Sequence, residues 1–175
     1  IDENDRDIVP GSGEKGLLAI GGRQPVGYYN EPEKTAAVFR QIDGQRFVVP
    51  GDWATIDADG TITLIGRGSE CINTGGEKVF PEEVEVVLKR HDDVFDAVVV
   101  GVPNLRFGQS IVAVVQPEKG RKLNGDDLIE HVKSQISGYK APRRVLQVEE
   151  IKRGPNGKPD LTAIREYAIS QVPSS

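Results

Sequence analysis

Pro81-Glu82-Glu83-Val84-Glu85-Val86-Val87-Leu88-Lys89-Arg90-His91, followed at once by Asp92-Asp93-Val94-Phe95-Asp96-Ala97-Val98-Val99-Val100-Gly101-Val102, is the stretch whose reading decides the fold. Proline is tolerated in the first turn of a helix, where its missing N–H has no partner to lose. Val84, Val87 and Leu88 then recur at helical spacing, with Glu82, Glu83 and Lys89 on the outer side, so the spacing predicts a helix over Pro81–His91. Glu82, Glu83 and Glu85 fall in its early turns, where carboxylates complement the helix dipole. From Val94 to Val102 the residues are almost all apolar and β-branched, which predicts a strand buried on both faces. A helix and a buried strand side by side point to mixed architecture.

Working outward, Ser110–Gln116 reads as a second buried strand and Asp126–Ile136 as an amphipathic helix capped by Asn124 or Gly125. Arg144–Val148 is a further strand, and Leu161–Ile169 a last helix with Leu161, Ile164 and Ala168 on its apolar side. Upstream the texture changes to strands and turns. The apolar run Leu17-Leu18-Ala19-Ile20 lies between glycines, and Glu31–Phe39 has a proline near its start and helical spacing. Phe47-Val48-Val49 leads into Pro50-Gly51-Asp52, and Trp53–Ile56 and Thr61–Ile65 flank Asp57-Ala58-Asp59-Gly60, a hairpin pattern. The expected fold class is therefore α+β. A small β-rich subdomain (residues 1–66) precedes an α+β domain (residues 67–175), with the boundary at Gly66–Ser69.

The 175 residues are 37% hydrophobic and 28% charged, enough to bury a core. A net charge of −5 argues against a surface built for nucleic acid, which needs clustered cations. The apolar run at Ala97–Val102 is far below a membrane span, and no charged-then-apolar leader opens the chain, so a cytoplasmic protein is expected. The single cysteine, Cys71, excludes an internal disulfide and offers no metal cluster; no metal ligand is expected in this chain. The chain starts at Ile1 and contains no methionine, as expected of a piece of a longer or processed polypeptide.

Some residues carry possible chemistry. Asp52, beside a glycine at a strand edge, could accept hydrogen bonds from vicinal hydroxyls or simply close a turn. Arg67 could grip ribose or phosphate with its planar fork, or lie on the surface. Gly75 and Gly76 allow close backbone approach to a ligand, or a plain turn before the helix. Lys158 sits in Arg153-Gly154-Pro155-Asn156-Gly157-Lys158-Pro159, a loop stiffened by prolines and opened by glycines. A lysine delivered there is a suitable point charge for a phosphorus centre gaining negative charge, or an ordinary loop lysine. His91, at a helix end, and His131, on an expected solvent face, do not read as catalytic. Cys71 reads as a small packed side chain. No serine stands in a Gly-x-Ser-x-Gly setting, so a hydrolase triad has no support.

Four patterns in order, Pro50-Gly51-Asp52-Trp53, Gly66-Arg67, Gly75-Gly76-Glu77-Lys78-Val79-Phe80-Pro81-Glu82-Glu83-Val84-Glu85 and Pro155-Asn156-Gly157-Lys158-Pro159, resemble the C-terminal third of the AMP-forming acyl-CoA synthetases, within the adenylate-forming superfamily. The run Gly27–Ala36 adds to the likeness, and the wording around Gly66–Ser69 is similar to bacterial fatty-acid or steroid-acid CoA ligases. The resemblance implies that residues 1–66 end a large N-terminal domain and that residues 67–175 form its mobile lid. It implies that Asp52 and Arg67 bind the adenylate ribose, that Gly75 and Gly76 line the path of coenzyme A, and that Lys158 catalyses acyl-adenylate formation. Tyr139 and Lys140, in Ser137–Pro142, would be structural. ATP or AMP, coenzyme A and Mg²⁺ are implied cofactors, the metal held mainly by the absent N-terminal domain, and a carboxylic acid is the implied substrate. Departures are Ser69, where the family's hinge carries Asp or Lys, and Asn73 and Gly75, where some relatives carry lysine. The chain also lacks the family's Ser/Thr/Gly-rich phosphate loop, so the isolated piece is expected to be inactive. Two alternatives stay open: an acyl-AMP ligase serving a carrier protein, and a non-catalytic binding module.

Overall fold

The computed structural model describes residues 1–172, which fall into two units, Ile1–Ser69 and a second beginning at Glu70. In chain order the first holds β1 (Gly16–Leu17), α1 (Pro32–Val38), β2 (Phe39–Ile42), β3 (Gln45–Val48), β4 (Asp52–Ile56) and β5 (Ile62–Arg67). β1, β4 and β5 form a three-stranded antiparallel sheet, and β2 and β3 a separate hairpin. The β2–β3 turn is Asp43-Gly44, both at positive φ (49° and 76°), as a two-residue hairpin turn demands. The apolar run Leu17–Ile20 is strand only at its start. Leu18 donates its N–H to Asp52 O, Ile20 makes a single bridge to Val48, and the ladder goes no further. The expected Glu31–Phe39 helix stops at Val38 because Phe39 is already paired with Val48 across the β2–β3 ladder.

The second unit runs β6 (Ile72–Thr74), β7 (Glu77–Val79), α2 (Pro81–Leu88), β8 (Val94–Asn104), β9 (Gly108–Pro117), α3 (Gly125–Gln135), β10 (Arg144–Gln147) and α4 (Leu161–Gln171). β8 and β9 make a long antiparallel hairpin; β10 joins β9 in parallel, and β6 meets the start of β9. The mixture of helices and small sheets is the α+β class expected from the sequence. β8 is buried on both faces. Ala97 and Val99 enter one cluster with Val84, Leu88, Leu128 and Val132; Val98, Val100 and Val102 enter another with Ile151 and Ala168. Two helices thus cover one side of the sheet and α4 the other. Each fully buried valine or leucine contributes about 1.5–3 kcal/mol before the entropy of ordering is set against it.

The helix expected over Pro81–His91 ends at Leu88, because Arg90 and His91 close on Val87 O and Leu88 O in a tighter turn. Asn124 caps α3, its side chain accepting from Asp126 N at 3.0 Å, and α4 continues two residues past the expected Ile169. Glu83 is not on the outer side. It pairs with Lys140 from the 3₁₀ turn after α3, and both side chains are largely buried, which gives Lys140 the structural place expected for it. His131 is half-buried against α2 and not on a solvent face: its Nε2 lies 3.1 Å from Val87 O and its ring stands edge-on to His91. Among the described residues no helix is long and apolar enough to cross a membrane.

Candidate active site

Asp52 and Arg67 open and close the β4–β5 hairpin, and the ladder sets them directly opposite each other. This depends on an irregularity. Ile56↔Ile62, Thr55↔Thr63 and Ala54↔Leu64 are regular, and the register then shifts so that Gly66 faces Trp53 and Arg67 faces Asp52. Ile65 is the extra residue of the bulge, and its side chain is buried. Arg67 Nε donates to Asp52 Oδ1 at 3.2 Å, with the two side chains 53% and 34% exposed. A pair this open adds roughly 0–1 kcal/mol to stability. Two glycines shape the backbone beside it: Gly51 has φ of 90°, and a Cβ on Gly68 would lie 2.8 Å from the Trp53 indole nitrogen. Gly68 N also donates to Gly51 O at 3.0 Å, tying the two strand ends together.

Gly75 and Gly76 are the two-residue turn between β6 and β7, with φ of 61° and 89°. Both signs are those of a type I′ turn, which non-glycine residues other than Asn and Asp rarely adopt. A Cβ on Gly76 would meet nothing within 4 Å, so backbone sign and not crowding fixes the residue. The turn is braced from the β8–β9 turn and from β9: Gly75 N donates to Phe107 O at 2.9 Å, and Gln109 Oε1 accepts from Asn73 N at 2.7 Å. The Phe107 ring itself lies 3.9 Å beneath the Arg143 guanidinium.

Lys158 is exposed near the end of a small backbone loop. Arg153 and Pro159 form a bridge, Gly154 N donates to Lys158 O at 2.8 Å, and Gly157 N donates to Gly154 O at 2.9 Å. Asn156 Oδ1 accepts from Lys158 N at 3.1 Å. The loop is held by a residue whose partner the sequence does not reveal. Arg153 donates Nε and Nη2 to the two oxygens of Asp96, at 2.8 and 2.9 Å, and Nη1 to Gly157 O at 2.9 Å. Burial pushes the Asp96 carboxyl upward, but the Arg153 bonds and the Ala97 N–H outweigh it and leave the group below its ordinary value. The same bonds raise Arg153. Nearby on α2, burial raises the Glu85 carboxyl even though it accepts from Val99 N at 2.9 Å. Among the described residues no three His, Cys, Asp or Glu side chains gather as a metal cluster.

One unit therefore carries the Asp52 carboxylate paired with Arg67; the other carries a lysine on a braced loop and a glycine turn. Residues 83–158 match the family model for the AMP-binding enzyme C-terminal domain. The chain carries an AMP-binding enzyme C-terminal domain. It is 52% identical over 160 residues to a medium/long-chain-fatty-acid–CoA/3-oxocholest-4-en-26-oate–CoA ligase of Mycolicibacterium smegmatis, an alignment covering 91% of this chain and 29% of that protein. The chain spans about 30% of the length of the curated relatives it matches. Among solved structures, the amide bond synthetase McbA of Marinactinospora thermotolerans is 32% identical, with a TM-score of 0.84 over 95% of this chain and 34% of that one. ATP-bound MatB of Rhodopseudomonas palustris is 29% identical, with a TM-score of 0.78 over 93% and 33% of the two chains. For this C-terminal domain, Arg153, Asp96 and Gln109 are the bracing residues that composition and spacing missed, since each acts across a long sequence separation.

Proposed function

We propose that the chain is the C-terminal portion of a cytoplasmic, ATP-dependent acyl-CoA synthetase, which converts a carboxylic acid, ATP and coenzyme A to acyl-CoA, AMP and pyrophosphate. The observation that carries the reading is the 52% identity to a fatty-acid and steroid-acid CoA ligase along 91% of the chain, through all four candidate patterns. Residues 1–66 would end the large N-terminal domain, and residues 67–175 would be a lid turning about Gly66–Ser69.

In the first half-reaction the acid's carboxylate oxygen attacks the α-phosphorus, the bond to the β-phosphate oxygen breaks, and pyrophosphate leaves. Lys158 supplies positive charge where negative charge develops, while Asp52 accepts from the ribose hydroxyls beside Arg67. In the second, the coenzyme A sulfur attacks the acyl carbon, its thiol proton passes to solvent, and AMP leaves. The Gly75-Gly76 turn would offer backbone along the thiol's path, an exchange of roles that suits a lid used twice. Mg²⁺ would be held mainly by the large N-terminal domain, where it would neutralise charge on the phosphates. The likeness to an amide bond synthetase favours one second reading, in which the acyl-adenylate passes to a nucleophile other than coenzyme A.

The test uses the full-length gene product with ATP, Mg²⁺, coenzyme A and a panel of acids, following acyl-AMP and acyl-CoA by mass spectrometry. Lys158→Ala should lower adenylation about 100-fold and still convert supplied acyl-AMP to acyl-CoA. Adenylation by the variant at the wild-type rate would overturn the reading. Accumulated acyl-AMP with coenzyme A ignored would favour the other acceptor.

A further inference from the structure

We infer that Arg153 and Asp96 are a positioning pair for Lys158, fixing the loop geometry on which adenylation depends; this rests on the function proposed above. Asp96 is 9% exposed and lies where the β8–β9 register is irregular, Val94 facing Pro117 and Asp96 facing Gln116. Phe95 is the extra residue there, so the ladder's end offers side chains and not regular backbone partners. Both residues of the facing pair reach the segment that leads to Lys158. Gln116 Oε1 accepts from Ile151 N at 2.8 Å, and Asp96 takes both forks of Arg153. Ile151 is itself buried in the α4 side of the core. The segment is therefore pinned twice before the loop starts, and the third Arg153 nitrogen holds Gly157 O, one residue before Lys158.

The choice of arginine follows from geometry. Three nitrogens in a rigid plane make three bonds in fixed directions, two to one carboxylate and one to a carbonyl; a single ammonium cannot reproduce that fork. Asp96 in turn is held by the Ala97 N–H at 2.9 Å, so the anchor does not swing. Replacing Arg153 leaves the local backbone bonds of the loop but removes its tie to the sheet, and Lys158 loses a fixed place. Misplacing a charged group by about 1 Å is enough to cost about 100-fold in rate.

Arg153→Ala, Arg153→Lys and Asp96→Asn are compared in the full-length enzyme beside Lys158→Ala, with each half-reaction assayed separately and backbone amide exchange followed along the chain. The expected result is an adenylation rate reduced about 100-fold in Arg153→Ala and about 10-fold in the other two. Thioester formation from supplied acyl-AMP stays within twofold, and exchange rises at Gly154–Lys158 but not in β8 or α2. Equal loss of both half-reactions, or faster exchange throughout the unit, would make the pair a folding element and overturn the inference. Wild-type adenylation and unchanged exchange in all three variants would overturn it as well. Failure of the functional reading looks different: Lys158→Ala itself would then adenylate normally, while local exchange still decides whether Arg153 fixes the loop. If Arg153→Ala does not fold, Arg153→Lys and Asp96→Asn carry the same outcomes.

Discussion

Of the hydrophobic side chains buried among the described residues, Val49, Ala54 and Ile65 lie in the first unit and the other twenty-two in the second. The second unit sends alternate residues of β8 into two clusters, one covered by α2 and α3 and the other by α4. The first builds its sheets from short strands and leaves apolar residues in the open: Ile62 and Leu64 are 53% and 63% exposed, and Val26 92%. Small domains survive on the fraction of surface they bury. By that measure the second unit has a core of its own and the first has little, which is what its proposed place at the end of a large domain would produce.

The hardest test of this contrast is to make the pieces separately. Residues 70–175 should unfold cooperatively on heating, and residues 1–69 should show no cooperative transition by circular dichroism. A sharp melt from the shorter piece would break the comparison. A finer test stays in the intact chain. Leu88→Ala, in the second unit's core, should cost about 2–5 kcal/mol in chemical denaturation. Leu64→Ala, on the open face of the first, should stay within about 0.5 kcal/mol. Equal costs would show that the exposed face is packed against something in solution.

The smallest effect is a pH dependence read at two carboxyl groups of the second unit. Asp96 is held below its ordinary value of 3.8. Its contribution to stability is therefore complete above that value and is lost as pH falls through the depressed one. Asp96→Asn should cost about 1.5–3 kcal/mol at neutral pH, the range for hydrogen bonds to charged groups, and the difference should shrink steadily in acid. A gap that persists unchanged however far the pH falls would mean that shape and not charge anchors the loop. Glu85 has the opposite sign. Burial raises it, so its protonated form favours the fold, and Glu85→Gln should gain on the wild type as pH rises above 4.5.

What could be read from the residues follows the length of the signal. α2, α3, α4 and β8 declare themselves because a periodic or unbroken apolar pattern lasts for two turns or more. The β4–β5 hairpin is legible from Asp57–Gly60. β6 and β7 are three residues each, too short to show alternation, and Gly75-Gly76 was open to reading as a turn before a helix. Asp43-Gly44 carries a hairpin signal between β2 and β3, and that hairpin is what ends α1 at Val38. In the candidate site, Asp52, Arg67 and Lys158 stand out by motif. Arg153 does not, because its partner lies 57 residues away and nothing local chooses Asp96 over the other carboxylates.

The bulge at Ile65 decouples two parts of one hairpin. The tip at Asp57–Gly60 and the first three cross-strand pairs form one register; Asp52 and Arg67 belong to the next, reset by a single inserted residue. Lengthening or rewriting the tip leaves the charged pair in phase, whereas ironing out the bulge with Ile65 kept would pair Ile65 with Trp53 and set Gly66, not Arg67, opposite the carboxylate. The hairpin's outer loop is thus free to diverge, and the strand segment behind it is not.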